Sequence, residues 1–436
     1  MKNLFFKWLL LIAFLVISSV NLLAQVNWTK YPGNPVITSG PSGSWYRGLF
    51  GSYVLYNTDS LRYEMWFVGS PTVGGDRPCN LGFATSSDGL SWYIHPNPFL
   101  TPSAGEWDSY SVEMPIVIRE NGLYKMWYYG MASWPWMRIG YATSTDGINW
   151  TKYAGNPVLG VGTLSWEAGG VGTGSVIPYE GGYKMWYYGG TLNGLNGPLK
   201  MGYATSIDGI SWQKDTLHNP ILVPGSPGSW DSHWVCDPRV LLIDGMYYMW
   251  YTGTTGVMTN FQVGLATSFD GITDWIKHPA NPVLRPSQSG WDSGGIEVGN
   301  PIWIGDTLLI GDTLYLWYPG STPIPYIYQV GLSTSNFTPV LVEEEITQPT
   351  EYILSQNYPN PFNPNTKISW QSPVGSWQTL KVFDVLGNEI TTLVDEYKPA
   401  GRYEVDFDAT ELTSGVYFYQ LKAGEFIQTK KMILIK

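Results

Sequence analysis

Between residues 26 and 337 the chain is a succession of short apolar or alternating runs, each closed by a turn rich in Gly, Pro, Asn or Asp. Val112–Arg119, Leu123–Tyr129, Ile139–Ser144 and Asn149–Tyr153 illustrate one set, joined by Glu-Asn-Gly and Thr-Asp-Gly turns. Their length and turn chemistry predict antiparallel strands rather than helices. The second run is apolar on both faces (Met126, Trp127, Tyr128, Tyr129), the pattern of a strand covered on both sides.

The set recurs. A Y-x-M-W-Y-x-G pattern places its tryptophan at Trp66, Trp127, Trp186, Trp250 and Trp317, and A-T-S-x-D-G places Asp88, Asp146, Asp208 and Asp270. Asn-Pro begins a third pattern at Asn34, Asn97, Asn156, Asn219 and Asn281, and a fourth is led by Trp45, Trp107, Trp166, Trp230 and Trp291. All four agree on a repeat of about 62 residues, and four strands per repeat make a propeller blade. The last repeat stops after Gly331–Ser335 without its outer strand, while Trp28–Tyr31 and Asn34-Pro35 supply one from the N-terminal side. The chain is therefore expected to be all-β, with a closed five-bladed β-propeller over residues 25–337 that leaves no free sheet edge.

The ends read differently. Residues 1–24 carry Lys2 and Lys7 before an apolar run centred on Leu9–Ile17, then small residues up to Ala24, which is the pattern of a signal peptide. No later segment has the length and hydrophobicity of a membrane span. Residues 338–350 lack periodicity and hold Glu343, Glu344 and Glu345, which suits a linker. Residues 351–436 alternate again, in Leu380–Asp384, Tyr403–Phe407, Val416–Leu421 and Thr429–Ile435, and predict a small immunoglobulin-like β-sandwich. Gln356-Asn357-Tyr358-Pro359-Asn360-Pro361-Phe362-Asn363-Pro364, followed by KVFDVLGNEI, SGVYFYQL and a terminal KKMILIK, resembles the type A sorting domain of type IX secretion. That resemblance implies a Bacteroidetes-like Gram-negative host, the type IX machinery as partner of residues 351–436, and an extracellular or outer-membrane-surface location.

Composition narrows the function classes. Charged residues are only 14% and aromatics 15% of the chain, with Gly 50 and Pro 31, which excludes long helices and coiled coils. A net charge of −11 with no Lys/Arg run excludes nucleic acid as a partner. Cys79 and Cys236 are too few for a disulfide framework or a Cys-rich zinc site; they read as buried free thiols, with a single bridge as the alternative.

Five internal copies act as a control on candidate chemistry: a residue type that recurs serves the blade, and one that breaks the pattern is a site candidate. By that test Asp88, Asp146, Asp208 and Asp270 are turn residues. Asp108, Glu167, Asp231 and Asp292 recur after the fourth marker and read as caps on loop amides; His95, His218 and His278 share that structural reading. The innermost strands follow that marker and line the channel mouth, and there the copies diverge. Only Glu113, Asp237 and Glu297 place an acidic residue in such a strand. An apolar strand desolvates a carboxylate, so each needs a partner or a function. Ion pairing between blades, with Arg239 among the partners, is the structural alternative. His233, Arg239, Arg47 and Asn300 are nearby pattern breakers, and Tyr46, Tyr110 and Trp234, with Trp45, Trp134 and Trp136, are aromatic platforms near the mouth.

A five-bladed ring with mouth carboxylates and an A-T-S-x-D-G-x-x-W repeat resembles the glycoside hydrolase superfamily of arabinanases, xylosidases, fructosidases and mannoside phosphorylases, families 43 and 32 among them. The resemblance implies a carbohydrate partner and carboxylate acid/base chemistry, with Asp237 of Asp237-Pro238-Arg239 as base, Glu113 or Glu297 as acid, and the third carboxylate tuning the other two. The family's acids usually lie on the first three blades, whereas here they lie on blades 2, 4 and 5; the first inner strand has Gly51 and the third has Gly172, Thr173 and Gly174. No cofactor or metal-binding residue is expected, a structural calcium ion in the channel being the one alternative. Three functions stay open: a polysaccharide-cleaving enzyme, a non-catalytic glycan binder, and a surface adhesion or scaffold propeller.

Overall fold

Each repeat of the computed structural model forms one antiparallel sheet, with its strands in chain order from the channel outward. Blade 1 uses Gly48–Asn57, Arg62–Ser70, Asn80–Ser86 and Tyr93–Ile94, and blade 2 uses Ser111–Glu120, Leu123–Met131, Met137–Ser144 and Thr151–Lys152. Blades 3 and 4 repeat this order behind the inner strands Gly170–Tyr179 and Trp234–Ile243. The outer strand of blade 2 is shorter than the predicted Asn149–Tyr153, because only Thr151 and Lys152 pair before the chain leaves for the Asn-Pro loop. The structure describes residues 25–338 and 351–436, except 134–135, 180, 194–195, 258–259 and 305–312. The expected signal peptide, nearly all of the linker, and Trp134 lie outside the described residues.

Blade 5 closes the ring. Its strands Thr313–Ser321 and Tyr328–Thr338 pair with each other, and Gln25–Lys30 adds the outer strand with Trp28 opposite Ser335 and Lys30 opposite Ser333. The inner strand is split into Gly295–Ile296 and Pro301–Ile304.

The marker tryptophans are fully buried, and four of them tie one blade to the next. The indole N–H of Trp66 donates to Gly147 O at 2.9 Å, Trp127 to Gly209 O at 2.8 Å, Trp186 to Gly271 O at 2.7 Å and Trp317 to Gly89 O at 2.8 Å. The acceptor is the glycine of the A-T-S-x-D-G turn. Gly209 sits at φ +76, and a Cβ there would lie 3.0 Å from the Trp127 ring, so the turn and the packing both select glycine. Within the turn Asp88 Oδ1 accepts from the amides of Leu90 and Ser91, both at 2.8 Å, which holds its carboxyl down at about 2 and accounts for the recurring aspartate without chemistry.

The recurring acid after the fourth marker does more than cap amides. Asp108 Oδ1 does accept from Ser103 N, but Oδ2 lies 2.6 Å from Lys152 Nζ and accepts from the Tyr128 hydroxyl. Glu167 with Lys214 and Tyr187, Asp231 with Lys277 and Tyr251, and Asp292 with Lys30 and Tyr318 repeat the set. Blade 1 replaces all three members at once, with Tyr46, Ile94 and Phe67 packed in one apolar cluster.

The second unit, residues 342–436 by contact, holds two sheets. Ile353–Leu354, Asn365–Ser372 and Gly401–Asp408 form one; Glu389–Lys398, Ser376–Phe383, Gly415–Ala423 and Phe426–Leu434 form the other. Ile368, Trp370, Leu380, Val382, Tyr419 and Leu421 fill the space between them, as an immunoglobulin-like sandwich requires. The Asn-Pro-rich lead segment is built in: Phe362 is buried, and Tyr419 OH accepts from Asn357 N at 2.8 Å and donates to Ser355 O at 2.7 Å.

Candidate active site

The inner strands share one irregularity. Their pairing jumps from Phe50 to Tyr53, Glu113 to Ile116, Gly172 to Ser175 and Cys236 to Arg239, a bulge in each of the first four blades. A bulge re-aims side chains, here toward the channel mouth. The residue before each jump faces Val68, Tyr129, Tyr188 and Thr252 on the second strand. In blade 5 Glu297 N donates to Pro319 O at 2.9 Å, which puts Glu297 level with Glu113. Asp237 lies within the bulge at φ 52, where blade 2 has Met114 at φ 50 and blade 1 has Gly51 at φ 57. The left-handed backbone at Asp237 thus recurs in the bulges of blades 1 and 2 without a carboxylate.

These levels bring Glu113, Asp237 and Glu297 to the wall of one cavity of about 350 Å³. Their surroundings separate them. Glu113 has donors on both oxygens: Ser111 Oγ at 2.7 Å on Oε1, which also lies 2.7 Å from Arg77 Nε, and Arg77 Nη2 at 3.0 Å and Tyr129 OH at 2.7 Å on Oε2. Asp237 accepts from the Cys236 thiol at 3.4 Å on Oδ2, and burial raises its carboxyl above the ordinary value against the pull of Arg239. Glu297 Oε2 is buried without a hydrogen-bond partner among the described residues. Burial first, then the charges of Asp237 and Glu113, push its carboxyl up to about 8.

Of the other expected site residues, Trp234 and Tyr110 line the cavity. Trp234 is a buried wall rather than an open platform, its indole donating to Gly197 O at 3.1 Å between the rings of His233 and Phe261. His233 stands behind it, outside the cavity lining. Arg239 is fully buried beneath the floor, where Nη1 donates to Gly174 O and the guanidinium lies over the Tyr53 ring. Three residues are not part of the site. Arg47 donates to Ser42 Oγ, Tyr46 packs edge-on against Trp45, and Asn300 donates to Val54 O at the far end of the inner strands. Trp136 is exposed and does not line the cavity. Cys79 and Cys236 are buried free thiols. Among the described residues, no group of three His, Cys, Asp or Glu side chains is placed to hold a metal ion.

Sequence reasoning missed Arg77, Tyr129, Tyr188, Phe261 and Tyr328, all in the lining. Arg77 left a signal: Asp76 and Arg77 are the only charged residues in the five connections between second and third strands.

Residues 175–284 match the family described as beta-1,4-mannooligosaccharide phosphorylase, and residues 356–436 match the secretion system C-terminal sorting domain. The sorting domain indicates export to the cell surface or outer membrane. An uncharacterized protein of Mycobacterium tuberculosis is 30% identical over 249 residues, 54% of this chain and 76% of its own length. A 1,2-beta-oligomannan phosphorylase of Thermoanaerobacter is 26% identical over 216 residues, 48% of this chain and 66% of its own. The solved structure of a glycosyl hydrolase from Bacteroides ovatus superposes with a TM-score of 0.53 at 19% identity, covering 71% of this chain and 93% of that one. The chain belongs to the family of the Mycobacterium protein and is in fold a glycoside hydrolase-like five-bladed propeller, ending in a type IX secretion sorting domain.

Proposed function

We propose that the channel-mouth cavity cleaves the glycosidic bond of a short glycoside, with Glu297 as general acid and Asp237 as general base. The observation that carries this is the sharing of one cavity by three carboxylates in unlike settings. Glu297, raised to about 8, keeps its proton at neutral pH and has an oxygen free to deliver it to the glycosidic oxygen as the bond to the anomeric carbon breaks. Asp237 takes a proton from the water that adds to that carbon. Glu113, with donors on both oxygens, serves as a fixed negative wall rather than as the acid. Among the described residues Arg77 is the one basic side chain lining the cavity, and Glu113 already pairs with it. A phosphate dianion would find no unpaired positive charge there, so water is the acceptor.

A glycan-binding role without turnover is the second reading, favoured by the aromatic lining of Phe50, Tyr110, Trp234, Phe261 and Tyr328. Residues 1–24 serve as the leader for export. The test is release of reducing sugar and of sugar phosphate from manno-, arabino-, xylo- and fructo-oligosaccharides, with and without inorganic phosphate. We expect phosphate-independent release, with Glu297→Gln and Asp237→Asn each slower by about a hundredfold or more. Release unchanged in both variants removes the catalytic assignment, and binding without release selects the second reading.

A further inference from the structure

The third inner strand offers no side chain at the level where its neighbours carry Phe50, Glu113, Cys236 and Glu297; it has Gly172. The gap is filled from the second strand. A Cβ on Gly172 would lie 2.2 Å from Tyr188 Cζ and 2.4 Å from its hydroxyl, so the ring of Tyr188 lies across the glycine. A side chain at position 172 would have to displace that ring, because the nearest atoms around its Cβ all belong to Tyr188.

The neighbouring blade shows what the difference does. Tyr129, at the same level of blade 2, directs its hydroxyl to its own strand partner Glu113 at 2.7 Å. Tyr188 has no such partner, since Gly172 has no side chain, and among the described residues no group accepts a hydrogen bond from its hydroxyl. The ring is largely buried and lines the cavity with Glu113, Asp237 and Glu297. Burial first, then the charges of Asp237 and Glu113 nearby, hold the phenol well above its ordinary value, so it stays a donor.

We propose that Tyr188 is a specificity-determining residue whose hydroxyl donates to a hydroxyl of a neutral sugar seated between Asp237 and Glu297, Gly172 being the device that admits it. This rests on the proposed glycoside-cleaving role of the cavity and goes beyond it, by naming the contact that selects the sugar. A uronic acid is disfavoured at the same point, because a third negative charge would face Asp237 and Glu113 with Arg77 already paired.

The test uses the exported chain with β-1,2- and β-1,4-mannobiose, arabinobiose, xylobiose and sucrose, measuring binding by calorimetry and cleavage by product release. On whichever sugar the wild type takes best, Tyr188→Phe is expected to weaken binding about tenfold with an unchanged melting temperature, as loss of one hydrogen bond to a buried donor predicts. The deoxy sugar lacking the contacted hydroxyl should bind wild type and Tyr188→Phe equally. Gly172→Ala, which pushes the ring aside, should match or exceed the loss. A wild type that binds or cleaves a sugar while Tyr188→Phe does so equally well overturns this inference and leaves the proposed function standing. A wild type that neither binds nor cleaves any of them removes both.

Discussion

Arg77 meets Glu113 through two contacts, Nε 2.7 Å from Oε1 and Nη2 donating to Oε2 at 3.0 Å. The fork spans the two carboxylate oxygens in a way that the single ammonium of lysine cannot. Glu113 is 1% exposed, so removing Arg77 strands a buried charge. Arg77→Met is expected to lose about 3 kcal/mol in urea denaturation, and Arg77→Met with Glu113→Gln to regain most of it. Equal losses in the single and double variants would show that the pair is not what stabilises this wall.

Glu297 couples the site to pH. Its ordinary value is 4.5 and its folded value about 8, so between these the folded chain keeps a proton that the unfolded chain releases. Stability from this group is therefore full below about 4.5 and is lost as pH rises toward 8. Glu297→Gln, which has no proton to release, should melt increasingly above wild type across that window and hold a constant advantage beyond it. A constant difference from pH 4 to 9 would contradict the shift.

The same group shapes the rate profile. kcat/KM should fall as pH rises through about 8, when Glu297 loses the proton it donates. The acid limb belongs to Asp237, whose carboxyl lies above its usual 3.8. Residual activity of Glu297→Gln should lack the fall near 8. A wild-type profile flat from pH 7 to 9 would exclude Glu297 as the acid.

The repeated acid, lysine and tyrosine set is best tested by borrowing the alternative from blade 1. Lys152→Ile alone leaves Asp108 buried without its cation and should cost about 3 kcal/mol. Adding Asp108→Tyr and Tyr128→Phe, which copies Tyr46 and Phe67, should restore much of the loss in thermal melting. A triple variant less stable than Lys152→Ile alone would show that the set is not interchangeable.

How much of this was legible before folding differs by element. The Trp66, Trp127, Trp186, Trp250 and Trp317 series and the turn aspartates repeat because every blade meets the next through the same contact, and a repeated contact leaves a repeated residue. In the sandwich, Glu389–Lys398 escaped prediction because the strand is mostly exposed and shows no apolar alternation. In the site, Arg47 and Asn300 broke the pattern as the carboxylates did, yet one ends on Ser42 and the other on Val54 O, away from the cavity. Departure from a repeat shows that a position is special without showing which way it points.

The sequence alone was sufficient for an all-β ring of five repeats closed by its N-terminal strand, and for singling out Glu113, Asp237 and Glu297 as candidate carboxylates. Periodicity and turn chemistry are local, so they survive in a linear reading. Which carboxylate keeps its proton was decided only by the tertiary structure. That depends on Arg77 arriving from a loop of blade 1, on Tyr129 reaching Glu113 from the next strand, and on no described residue reaching Glu297 Oε2 with a hydrogen bond. Charge pairing and desolvation act through space over a few ångströms, and residues 77, 113, 237 and 297 become neighbours only when four blades are packed around one channel.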